Sequence, residues 1–66
     1  MSYYVILDST GSLVDSFDHE REARLALERI VRQDPGAASD YAMLEFDDAG
    51  HPLGEALVGS DLGVHA

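Results

Sequence analysis

The sequence predicts an α+β domain: a two-layer ββαββ unit in which a four-stranded antiparallel sheet of order 2-1-3-4 carries one helix on one face. Three observations predict it. One stretch, DHEREARLALERIVRQD from Asp18 to about Asp34, has helical periodicity. Two Asp…Gly turn runs, DSTGS and DDAGH, each separate short apolar segments. The first of those segments, Tyr3 to Leu7, is apolar at every position.

The helix follows from spacing. At about 100° per residue, Ala23, Ala26, Leu27, Ile30 and Val31 share a stripe, while Arg21, Glu28, Arg29 and Arg32 point away. Asp18 is a suitable N-cap, Glu20 and Glu22 suit the positive first turn, and Pro35-Gly36 ends the helix. Glu20 with Arg24 and Glu28 with Arg32 are i,i+4 pairs, each worth about 0.2 to 0.5 kcal/mol. Leu25 lies on the arginine side and is a candidate contact to another chain.

Tyr3-Tyr4-Val5-Ile6-Leu7 is rich in aromatic and β-branched residues and is apolar on both faces, so it reads as a central strand. Asp8 to Ser12 supplies a turn, and Leu13 to Phe17 returns as a strand that frays before Phe17, which packs beneath the helix start. Gly36 to Asp40 is a small-residue connection. Tyr41 to Phe46 is the third strand; with Glu45 turned outward, Ala42, Leu44 and Phe46 face the helix and Tyr41 and Met43 face away. After the Asp47-Asp48-Ala49-Gly50 turn, His51 to Val58 forms a fourth strand that Pro52 and Gly54 confine to an edge. The expected domain is 1–58, with 59–66 a flexible C-terminal tail.

Strand directions place the third strand antiparallel to the first, which gives the order 2-1-3-4 with the helix on one side. The opposite face stays bare. Tyr3 or Tyr4, Tyr41 and Met43 are expected on it, too apolar for water in so small a domain, and a homodimer is expected, either by stacking of these faces, which is preferred, or by pairing of edge strands. Sixty-six residues is also near the lower limit for an unstapled core, and no cysteine is present to add a disulfide or a thiolate metal site.

Charge narrows the function. The net charge is −9; five of the 13 acidic residues and all four arginines lie in the helix, which therefore carries −1 and leaves −8 to the rest. A sheet bearing only Asp and Glu argues against direct nucleic-acid binding. It fits either the solubility of a small acidic protein or a basic protein partner, met by Asp8, Asp15, Glu45, Asp47, Asp48 and Glu55. No apolar run is long enough to cross a bilayer, and no basic leader precedes Tyr3, so the expectation is a cytoplasmic protein without membrane contact.

Chemistry-bearing clusters are few. Asp47, Asp48 and His51 are candidate metal ligands, because carboxylates and imidazole can share a divalent cation. Asp-Asp-x-Gly is equally what a tight turn requires. Asp8 to Ser12 lacks the lysine and glycine density of a phosphate cradle. Asp15, Asp18 and His19 come nearest to an acid–base group, but no serine motif marks a nucleophile. No catalytic residue and no cofactor are expected, and the chain is read as a non-enzyme.

The segments YYVILDSTGSLVDSFD, EREARLALERI and YAMLEFDDAGHPLGE resemble small uncharacterised bacterial β-β-α-β-β domains. The first half is similar to HicB-type antitoxins, in which a hairpin precedes a helix beginning with a Glu-Ala pair, here Glu22-Ala23. The family's proline-containing motif before the helix is replaced by Ser16-Phe17-Asp18, and no functional residue is carried over. The resemblance implies an antitoxin-like regulator, and the acidity a nucleic-acid-mimic one, as the alternative to a homodimeric acidic protein-interaction module. A third reading is a ligand or metal site at the dimer seam.

Overall fold

A computed structural model describes residues 2–62. The order of elements is β1 (Tyr3–Asp8), β2 (Leu13–Phe17), α1 (Glu20–Gln33), a 3-10 segment (Pro35–Asp40), β3 (Tyr41–Phe46), β4 (Pro52–Val58) and a second 3-10 segment (Gly59–Leu62). The strands form one antiparallel sheet in the order β2-β1-β3-β4, and α1 covers one face, as the strand directions require. β1 and β3 are the central pair.

The two hairpin turns are built alike. Asp8 and Asp47 each begin a turn in which the aspartate N–H donates to the carbonyl four residues on, and a glycine N–H donates back to the aspartate carbonyl. Each carboxylate accepts two backbone N–H groups, from Thr10 and Ser12 in the first turn and from Ala49 and His51 in the second, at 2.9 to 3.0 Å. Gly11 and Gly50 take φ of 82° and 84°, the left-handed region that closes a type I turn with a glycine bulge.

Side-chain alternation along β2 is resolved by a register shift. Tyr4 pairs with Phe17 and Ile6 with Asp15, but Leu7 pairs with Leu13, so one extra residue in β2 moves Leu13 to the opposite face from Phe17. The strand does not fray; it remains paired through Phe17, which packs on the core. β4 takes the four steps from Leu53 to Leu57 to match the two from Glu45 to Met43, and Gly54 at φ 73° absorbs the surplus.

The helix buries Ala23, Leu27 and Val31, with Ala26 and Ile30 partly covered, which is the expected stripe. Ile6 and Leu27 are fully buried at the centre of the core beside Ala23 and Met43; each large side chain contributes about 1.5 to 3 kcal/mol by leaving water. The N-cap is His19, in an extended conformation with no side-chain cap bond, rather than Asp18. Among the described residues neither Glu20–Arg24 nor Glu28–Arg32 closes as an ion pair, because exposed partners gain too little to offset the ordering of two long side chains.

The expected boundary at Val58 is corrected. Gly59–Leu62 forms a 3-10 turn, Gly59 is buried, and Leu62 packs against the core cluster. A Cβ on Gly59 would lie 2.5 Å from the Ala38 carbonyl oxygen and 2.8 Å from Val31, so the glycine permits this segment to close over the helix end and the Pro35–Asp40 segment. The rest of the expected tail, 63–66, lies outside the described residues. Among those described, no helix is long and apolar enough to cross a membrane.

Candidate functional site

Register fixes which side chains share each face of the central pair. Tyr4 is opposite Glu45, Ile6 opposite Met43, and Asp8 opposite Tyr41. Since Ile6, Met43, Tyr4 and Tyr41 all belong to the core or pack on it, this is the helix side. The expectation that Tyr41 and Met43 face away is therefore overturned: Met43 is 6% exposed and lies under α1. Glu45 is turned toward the helix side as well. The reason is that α1 covers only the middle of the sheet, so charged side chains at strand ends, Asp8 and Glu45, can share the core's face and still reach water.

The bare face is made of the other set, in three rows across the sheet. Leu13, Leu7, Ala42 and Val58 form one row, Ser16, Val5 and Leu44 the middle one, and Tyr3, Phe46 and Pro52 the third. Of the two tyrosines that begin β1, Tyr3 is on this face and Tyr4 on the helix side. The Tyr3 ring stacks on Phe46, centroids 5.6 Å apart and planes at 19°. No residue of these rows is charged, although the chain as a whole carries −9. Leu13 at the rim is 63% exposed, whereas Val5 at the centre is 7% exposed and Tyr3, Leu7, Ala42, Leu44 and Phe46 are half-buried.

Asp18 and Glu22 border this face at its β2 side, where they line a cavity of about 690 Å³ with Tyr3, Val5, Leu13 and Ser16. The other carboxylates lie elsewhere and do not form one surface. Asp8 closes the turn at one end of the sheet, with Asp47 and Asp48 in the turn at the other. Asp15 is on the helix side of β2. Glu45 and Glu55 meet Glu20 and Arg24 in a groove of about 230 Å³ between the helix start and the β4 bulge, with Tyr4, Met43, Leu53 and Leu57 also contributing to its walls. Sequence reasoning missed this groove, because the bulge that turns Glu55 toward it depends on the pairing of β4. Gly54 was the one local sign of it.

Of the candidate metal ligands, the structure brings together Asp47 and His51, with the imidazole Nδ1 3.6 Å from Asp47 Oδ2. Among the described residues no three His, Asp or Glu side chains gather as a cation site. Asp47 Oδ1 is instead committed to the amides of Ala49 and His51, as Asp8 is in its own turn. The Asp8 carboxyl sits below its ordinary value of 3.8 because the Thr10 hydroxyl donates to it at 2.6 Å, helped next by the Ser12 amide, opposed by desolvation, and helped least by the Thr10 amide. Asp15 accepts from the Ser16 amide, and no hydrogen bond or ion pair joins it or Asp18 to His19 among the described residues. Leu25, the candidate contact on the helix, is 50% exposed and lies across the helix from the sheet.

Fold and surface together define a class: a small antiparallel α+β domain that pairs an uncharged, apolar sheet face with carboxylates in its turns and helix-side groove. Compared with known proteins, the chain matches no family model, no curated protein and no solved structure.

Proposed function

We propose that the protein is a homodimeric acidic interaction module: two copies meet through the sheet face opposite α1, and the carboxylates left outside bind a basic protein. The observation that carries this reading is the absence of charge from the face of Tyr3, Val5, Leu7, Ala42, Leu44 and Phe46 in a chain of net charge −9. Two such chains repel each other wherever carboxylates meet. They approach at least cost across a surface that has none in its rows and only Asp18 and Glu22 at its rim, and there the apolar area removed from water supplies the driving force. The Glu20, Glu45 and Glu55 groove stays on the outer side of each copy, beside the helix, where a Lys or Arg side chain of a partner can reach it.

Sedimentation equilibrium tests the first half: a dimer of the 7.2 kDa chain is expected, and a monomer throughout the micromolar range would remove the proposal. Titration with a Lys/Arg-rich peptide tests the second. Binding should weaken as salt rises and drop in the Glu45→Gln, Glu55→Gln double variant; salt-independent binding, or none, would remove the basic partner.

A further inference from the structure

The apolar sheet face has a symmetry of its own. Laying the Asp8 turn on the Asp47 turn brings Val5 onto Leu44, and those two residues are directly paired across the central strands. A local dyad therefore stands upright on the sheet at the Val5–Leu44 pair. What the dyad exchanges is unequal in size. On one side stand the stacked rings of Tyr3 and Phe46, on the other the smaller side chains of Leu7 and Ala42; by volume alone the first pair makes a ridge and the second a trough.

We propose that two copies dock ridge into trough, about a twofold axis that lies between the sheets and runs across the strands, with Phe46 of each copy over Ala42 of the other and Tyr3 over Leu7. This rests on the homodimer reading above and specifies its geometry. Turning one sheet over about such an axis interchanges its two ends. The opposite choice, an axis along the strands, stacks ridge on ridge and holds the trough rows apart, which forfeits close packing over half the face.

Charge favours the same arrangement. With the ends interchanged, each end of the dimer carries the Asp8 turn of one copy and the Asp47-Asp48 turn of the other. With the axis along the strands, both Asp47-Asp48 turns crowd one end. The size is also adequate: four strands about 4.8 Å apart and six residues at about 3.4 Å give a face of roughly 400 Å² in projection. Two such faces cover roughly 800 Å² in projection and remove on the order of 1,000 Å² of accessible surface, the size of a weak dimer.

A double-mutant cycle on the dimer dissociation constant tests the geometry, using Ala42→Phe, Phe46→Ala and the double variant, with circular dichroism to establish that each folds. Residues 42 and 46 are on one strand about 13 Å apart, too far to touch within a copy, so any coupling between them is made across the interface. Each single change should weaken the dimer by about tenfold or more, and the double variant should return to within about threefold of the wild type, its ridge and trough exchanged. If the double variant is weakened by the product of the singles, or if neither single has an effect, the docking geometry is wrong while the dimer stands. If the wild type does not dimerise, both fall. The same exchange on β1, Tyr3→Leu with Leu7→Tyr, repeats the discrimination should a β3 variant fail to fold.

Discussion

Met43 and Leu44 are consecutive residues of β3 with opposite surroundings: Met43 lies beneath α1 opposite Ile6, and Leu44 lies on the uncovered face opposite Val5. An aspartate at each position separates folding from association. Met43→Asp puts an unpaired charge in the core and should leave the chain unfolded at room temperature. Leu44→Asp should give a folded monomer, read by far-UV circular dichroism together with sedimentation. A Leu44→Asp chain that remains dimeric would show that the uncovered face is not the interface.

The helix separates two leucines in the same way. Leu27 is fully buried and Leu25 is 50% exposed. Leu27→Ala should cost about 2 to 5 kcal/mol, most of the stability of a domain this small. Leu25→Ala should change it by less than about 0.5 kcal/mol. Urea unfolding measures both, and similar costs at the two positions would contradict the packing of α1.

Much of this was legible in the sequence, and the errors have a common origin. The helix stripe is written by a run of Ala, Leu, Ile and Val at helical spacing, and the strand order follows from directions once the hairpins are recognised. The face of β3 was not legible, because YAMLEF is apolar on both alternations and its single charge, Glu45, is at a strand end where the helix no longer covers the sheet. Reading Glu45 as outward turned Tyr41 and Met43 the wrong way. β2 was ambiguous for a related reason: the extra residue that moves Leu13 to the opposite face from Phe17 is a property of pairing with β1, which spacing along one strand does not record. Packing of Gly59–Leu62 was hidden because Gly-Ser-Asp has tail-like composition, whereas its role depends on a close approach to Ala38.

That approach makes a prediction at Gly59. Its φ is unremarkable, but a methyl group there meets backbone at 2.5 Å and Val31 at 2.8 Å. Gly59→Ala should destabilise by about 1 to 3 kcal/mol through overpacking. At about 4 to 8 °C per kcal/mol the loss is visible in a thermal melt. Should the melt be unchanged, the second 3-10 segment does not hold its position against the helix end.

The first turn makes the pH prediction. Thr10 donates both its hydroxyl and its amide to the Asp8 carboxylate, and Ser12 adds its amide, so the folded turn favours the ionised form and the carboxyl lies below its ordinary value of 3.8. A carboxylate whose pKa is lowered by folding contributes stability that is present above the unfolded pKa and is lost as pH falls through the folded one. Thr10→Ala removes the largest cause. The Asp8 midpoint, followed by NMR of the carboxyl carbon, should then rise toward the ordinary value. The variant should be less stable than the wild type at neutral pH, and the part of that gap due to ionisation should close as the solution is acidified below the ordinary carboxylate range. An Asp8 midpoint unchanged by the substitution would mean that the hydroxyl bond does not hold the charge.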